Sequence, residues 1–302
     1  MSAPYVSVVI PAYHSEATIA HTLEALRRQT YRNFETIVVD SSSDEKTARV
    51  VRERFPEVTL HRSQQRLLPH AARNAGVELA RGDLLVFTDP DCVAAPVWLE
   101  LLASVSERGH TVVGGAIELE GGGWPERGIH LSKFALWVPD APRGSRPDLA
   151  TANVLWTRSA WERFGPFPGE TWCGDTEISW RARRAGVELH FEPAAVVRHA
   201  HTTGLRAFFR ERRIRGEDFA RMRARVERWS RLRAGVHLLG APLVPFLLLG
   251  RSLRSAGGIR ALETVPVQLL GFLGWSLGEA AAFARAVFAR SEAGHQAGTG
   301  GR

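Results

Sequence analysis

The first ninety residues alternate short apolar runs with helix-patterned stretches, a rhythm that few folds accept. Residues 6–10 form a β-branched run closed by Pro11, and 34–39 form a second run that ends at Asp40. A third strand is expected at 58–61 and a fourth at 84–88. Between them, 15–29 sets Ile19, Leu23 and Leu26 on one stripe with Ser15 as its expected N-cap, and 46–55 and 70–80 have helical character. The order β-α-β-α-β-α-β predicts an α/β fold, a mostly parallel sheet with helices on both faces. Such sheets bind ligands beyond the carboxyl ends of their strands. Three of those ends are polar here: 13–16, 40–44 and 89–91.

Asp89-Pro90-Asp91 closes the fourth strand. By itself it reads more readily as an acidic turn. At a strand end, two carboxylates two residues apart also suit one hard cation, Mg²⁺ or Mn²⁺, which would in turn hold a diphosphate. Hydrophobic content of 44% and charged content of 24% fit a folded globular chain, and two cysteines, Cys92 and Cys173, make no disulfide framework. No basic stretch precedes the apolar run at 6–10, so no signal peptide is expected and the site is expected on the cytoplasmic side. The Gly-, Pro- and Arg-rich stretch 121–148 reads as a mobile loop, 175–185 as a helix with Gly186 at C′, and 291–302 as a disordered tail.

Three segments occur in one order: VSVVIPAYHSEATIAHTLEALRRQTYRNFETIVVDSSS, HAARNAGVELARGDLLVFTDPDC and GDTEISWRARRAG. Together they resemble the family 2 glycosyltransferases of the GT-A fold, over roughly residues 5–201. The resemblance implies a Rossmann-like sheet and a metal-dependent, inverting transfer of a sugar from a nucleotide sugar. It implies that Pro11, Ala12, Tyr13 and Glu16 hold the base and ribose, that Asp40 bonds the base edge, and that Arg73 and Asn74 lie beneath the diphosphate. It implies Asp89 and Asp91 at the cation and Asp175 as the base that deprotonates the acceptor, held ionised by the dipole of its helix. A plain N-cap is the other reading of Asp175. Gly174 departs from the family, which usually has Glu there.

Other residues are weighed on the same footing. A late histidine completes the metal site in some GT-A enzymes, so His199, and less so His201, are candidate ligands; both are otherwise ordinary histidines. Thr151-Ala152-Asn153 matches a family segment along the donor sugar, or is a plain strand start. Trp172 either stacks on an acceptor sugar or belongs to the core. Arg66 stands near the phosphates or in solvent.

The rest of the chain is basic, then apolar. Residues 201–234 hold eleven arginines against four acids, the whole net charge of +7. Two apolar runs follow, 236–250 and 265–277. At about 1.5 Å per residue each reaches little more than 20 Å, short of a ~30 Å hydrocarbon core. Arg251, Arg254 and Arg260 between them argue against a spanning hairpin. The expectation is a bacterial-type domain at 1–204 followed by a membrane-associating helical region at 205–290. That region would comprise an Arg-rich amphipathic helix on an anionic surface and two interfacial or re-entrant helices. A soluble helical subdomain and a two-span hairpin are the alternatives. Partners would be a nucleotide-sugar donor, a lipid-linked or cell-envelope glycan acceptor and a membrane surface, with no nucleic acid. A non-catalytic nucleotide-sugar-binding or scaffold protein is the competing reading. A nucleotidyltransferase fits less well, because PAYHSE lacks the Gly-rich, Lys/Arg-bearing loop it needs.

Overall fold

A computed structural model describes residues 5–201, 204–255 and 259–288. Strands β1 (Val6–Ala12), β2 (Phe34–Asp40), β3 (Thr59–Arg62) and β4 (Leu84–Thr88) alternate with helices α1 (Ile19–Arg27), α2 (Lys46–Arg54) and α3 (Pro69–Leu79). Next come β5 (Cys92–Ala94), α4 (Trp98–Glu107), β6 (Val112–Leu119), α5 (Trp124–Phe134), β7 (Gly144–Ser145) and β8 (Asn153–Thr157). Then follow α6 (Arg158–Phe164), α7 (Gly174–Arg184), β9 (His190–His199) and α8 (Leu205–Val226). The C-terminal helices are α9 (Arg231–Gly240), α10 (Val244–Ser255), α11 (Ile259–Leu262) and α12 (Val265–Phe288).

The strands form one sheet in the order β3-β2-β1-β4-β8-β6-β9-β5, with β7 beside β9. β1 to β4 are mutually parallel, as their short helical crossovers require, and β8 inserts antiparallel between β4 and β6. Both faces are dry. Ile10, Val38, Val86 and Trp98 pack on one side, and Val9, Leu85, Phe87 and Trp156 on the other. The continuous apolar runs of β1 and β4 are what burial on both faces selects.

The expected elements occur, with local differences. α1 begins at Ile19 rather than Ser15, because the Ser15 carbonyl, not its hydroxyl, receives the N–H groups of Thr18 and Ile19. The stretch 121–148 is not all loop. Gly121 and Gly122 turn at positive φ, the Glu126 carboxylate accepts the Gly123 N–H, and α5 follows with Ile129 and Leu131 buried. Gly186, at φ 83°, ends α7 as expected. The tail at 291–302 lies outside the described residues.

The C-terminal third departs furthest from expectation. α12 packs against α8 with backbones nearly touching. A Cβ on Gly216 would lie 2.1 Å from the Trp275 carbonyl oxygen, and one on Gly278 would lie 2.0 Å from that of Arg213. Gly216→Ala should therefore cost about 1–3 kcal/mol as an overpacking change, read as a lower urea midpoint with unchanged slope. By contrast, α9 and α10 with the 3₁₀ turn at Ala241–Leu243 lie on the outside, leaving Leu232 80% and Leu239 84% exposed. The apolar helical stretches are longer than the runs in the sequence suggest. Residues 231–255 and 265–288 span 25 and 24 residues, long and apolar enough to cross a membrane by length and composition.

Candidate active site

At the carboxyl ends of β1 and β4 a cleft of about 470 Å³ opens. Pro11, Ala12 and Tyr13 form one wall, and Arg66 lays its guanidinium 4.5 Å from the Tyr13 ring centre at the mouth. Asp89 and Asp91 lie on the floor. Their turn is fixed by the Cys92 N–H on the Asp89 carbonyl and by the Thr22 hydroxyl on the Pro90 carbonyl. β5 then pairs with β9 in a register that sets Cys92 opposite His199. That register, invisible in the sequence, carries His199 Nε2 to 3.6 Å from Asp91 Oδ1.

These residues fit a divalent cation. Asp89, Asp91, Cys92 and His199 each present a ligand atom, all within 4.8 Å of one another. Asp91 Oδ1 and His199 Nδ1 are buried with no hydrogen-bond partner, and 3.6 Å is too long for a hydrogen bond between imidazole and carboxylate. Burial pushes the Asp91 carboxyl up while His199 pulls it down. Burial also raises the Cys92 thiol far above its ordinary value, and its side chain packs in the core, a soft donor poorly matched to a hard cation. The donor set is thus two carboxylates and one imidazole, suited to Mg²⁺ or Mn²⁺. Asp89 is shared with the buried Arg73, whose guanidinium it binds directly.

His201 stands behind His199, with ring centres 4.6 Å apart. His130 Nε2 donates to the Ile117 carbonyl at 3.0 Å, so its Nδ1 accepts from His201 Nε2 at 3.1 Å. Burial takes His130 down to about 4 and His201 to about 2, so both are neutral near pH 7.

Asp175 faces the same cleft from the start of α7. Its enclosure raises the carboxyl above the ordinary aspartate value, while the Thr176 N–H at 2.8 Å, Arg215 and Arg73 draw it down. Enclosure thus works against the helix terminus and leaves the carboxyl above its ordinary value. His70 lies 3.8 Å from Asp175 Oδ1 and fills the space beside it. A Cβ on Gly174 would come within 2.9 Å of the His70 ring, which explains why a glutamate has no room there.

Several expected contacts are made elsewhere. The Asn153 amide is buried and spent on the Ala116 and Ala195 carbonyls and on the Trp98 indole, so Thr151 and Ala152 line the cleft and Asn153 does not. Asn74 exchanges two hydrogen bonds with the Phe167 backbone, pinning the 165–169 turn to α3 rather than facing the cleft. Asp40 is fully buried, with Arg62 and Ser42 on its carboxylate, and Ser41 takes its place in the wall. Glu16 lies behind the wall, 3.4 Å from the Thr47 hydroxyl.

Other cleft residues have no signal in the sequence motifs. α5 brings Lys133, α8 brings Glu211, Arg212 and Arg215, and α12 brings Trp275. Lys133 Nζ and Arg215 Nε both lie 3.0 Å from Glu211 Oε1, and Arg212 packs on the Trp275 ring at 4.6 Å. Arg215 reaches Trp172 at 5.2 Å. Two arginines of the basic helix thus face the cleft. Others on it are paired within the fold, as Arg225 is with Glu177 at 2.6 Å and Arg223 with Glu227 at 3.3 Å, so only part of the basic segment faces outward. Burial raises Glu211, but Lys133 and Arg215 outweigh it and hold the carboxyl at about 2. A depressed carboxyl stabilises the fold fully above its ordinary 4.5 and loses that contribution as pH falls toward 2. Glu211→Gln should therefore cost about 3 kcal/mol at pH 7, and urea melts at pH 7 and pH 3 should show the gap from wild type narrowing in acid.

Residues 7–165, more than half the chain, match the model of glycosyl transferase family 2, and the chain belongs to that family. It is 32% identical over 201 residues to the glycosyltransferase AglE of Haloferax volcanii, covering 62% of this chain and 64% of that one. It is 35% identical over 120 residues to an undecaprenyl-phosphate 4-deoxy-4-formamido-L-arabinose transferase of Pseudomonas fluorescens, covering 36% and 34%. The matches span less than two thirds of these relatives' lengths. In three dimensions the chain has the GT-A fold. It superposes on a mannosyltransferase from Pyrobaculum calidifontis, in complex with GDP-Man and Mn²⁺, with a TM-score of 0.62 at 21% identity, covering 96% of this chain and 89% of that one.

Proposed function

We propose that the chain transfers a sugar from a nucleotide sugar, with inversion at the anomeric carbon, to a lipid-linked acceptor at a membrane surface. The observation that carries this reading is that one cleft is lined by the cluster of Asp89, Asp91 and His199 and also by Asp175. A cation held by the first three supplies a Lewis acid for the diphosphate of the donor. Tyr13 and Arg66 flank the entrance to the nucleotide side. Asp175 takes the proton of the acceptor hydroxyl as that oxygen attacks, and its raised proton affinity makes it a better acceptor of that proton. Arg73 and Arg215 offset the charge that develops as the diphosphate departs. His70 braces Asp175, and Trp172 offers a ring to the acceptor.

The membrane part of the reading rests on the exposed row Leu232, Val236, Leu239, Leu243, Phe246 and Leu247. These lie on α9, the following turn and α10, which would rest in the interfacial layer on the cytoplasmic side. The relative from Pseudomonas fluorescens is named for an undecaprenyl-phosphate acceptor, and the mannosyltransferase structure holds a GDP-sugar and Mn²⁺. The test is a panel of nucleotide sugars offered with Mn²⁺ and polyprenyl-linked acceptor in vesicles. Release of nucleoside diphosphate that requires both cation and acceptor supports the reading; no release from any donor counts against it. Leu239→Glu with Phe246→Glu should cut sedimentation with vesicles at least tenfold and leave donor affinity unchanged.

A further inference from the structure

At the opposite end of the sheet, two histidines and a glutamate converge. His110 lies between α4 and β6, directly after Gly109, which turns at φ 99°. Glu188 lies between α7 and β9, and His190 opens β9. β9 pairs with β6 over the six steps from Val113, opposite His190, to Leu119, opposite His199, which sets the two histidines roughly 20 Å apart at the usual strand rise. The group is therefore independent of the cleft.

Its geometry is unusual for a structural cluster. His190 Nδ1 is 3.8 Å from Glu188 Oε1, and His110 Nδ1 is 3.9 Å from Glu188 Oε2. The two imidazoles face each other at 4.0 Å, tilted by 33°. None of these separations is a hydrogen bond, yet the three residues each offer a ligand atom within 4.8 Å of the others. His190 Nδ1 is closed off from solvent and has no partner, although it points toward the carboxylate. Around a tetrahedral ion with bonds near 2.05 Å, ligand atoms stand roughly 3.3 Å apart. Closing the two imidazole–carboxylate gaps by about half an ångström reaches that spacing. Arg143, the nearby cation, is occupied by Glu192 at 2.8 Å.

We propose that His110, Glu188 and His190 form a second metal site, selective for Zn²⁺ or a similar imidazole-seeking cation, that clips the α4–β6 connection to the α7–β9 connection. Two imidazoles and one carboxylate leave a position for water, and this donor set prefers such ions over Mg²⁺ and Mn²⁺. The clip anchors the far end of α7, the helix whose other end carries Asp175. It makes no use of the transfer reaction and stands whether or not that reading holds.

The test is calorimetric titration of Zn²⁺ into the purified full-length protein, with thermal unfolding in parallel. The variants are His190→Ala, Glu188→Gln and, to remove the cleft site, Asp91→Asn. Glu188 is 51% exposed, so its glutamine variant retains the fold. The expected result is one Zn²⁺ site kept in Asp91→Asn, weakened at least tenfold in Glu188→Gln and His190→Ala, with the Zn²⁺-induced rise in melting temperature lost alongside. Zn²⁺ binding that is absent from wild type, unchanged in Glu188→Gln, or abolished by Asp91→Asn overturns the proposal.

Discussion

Asp175→Asn should lower turnover by about three orders of magnitude while donor and cation affinity stay within about twofold. Asparagine keeps the shape and still accepts the Thr176 N–H on its side-chain oxygen, so the fold and the neighbouring His70 are undisturbed. What is lost is the lone pair that takes the acceptor's proton. The sign of the pH dependence follows from the environment. Enclosure raises the carboxyl above its ordinary 3.8, and the base works only when ionised. The rate should therefore fall on an acid limb that lies above pH 3.8, and that limb should vanish in Asp175→Asn. Full pH profiles of kcat/KM for both proteins check this. A purely binding protein would show neither the rate nor the limb.

Asp91→Asn should abolish the cation dependence of donor binding, weakening the donor by about two orders of magnitude in the presence of Mn²⁺. The same change should raise the melting temperature of the metal-free protein. Asp91 Oδ1 is buried without a hydrogen-bond partner, so the ionised carboxylate strains the metal-free fold and an amide relieves it. Wild type should gain in melting temperature on adding Mn²⁺, and the variant should not. Opposite effects on stability and on donor binding separate a metal ligand from a structural aspartate. Melting curves and donor titrations with and without Mn²⁺ measure both.

Much of this arrangement is legible in the sequence because it follows from local pattern. The apolar runs at β1, β2 and β4 and their short helical connections impose a parallel sheet, and strand ends then gather Tyr13, Asp89 and Asp91. Asp175 follows from its motif and lines the cleft. What is not legible depends on distant packing. Eleven arginines between 201 and 234 look alike in sequence. Which of them face the cleft is set by the rotation of α8, fixed where Gly216 meets the Trp275 backbone and Gly278 meets Arg213. Arg212 and Arg215 emerge only from that contact. The glycines and proline ahead of α5 suggest loop, although they form its start, and Lys133 goes unseen with it. Asn153 and Asn74 match a pattern, but their amides serve the buried backbone.

The direct displacement assigned to Asp175 has a stereochemical signature that no binding or stability measurement shares. With the donor that supports turnover, the anomeric configuration of the new linkage can be read by the one-bond carbon–proton coupling of the isolated product. An α-linked nucleotide sugar should give a β-linked product, and a product that keeps the α configuration would contradict a single displacement with Asp175 as its base.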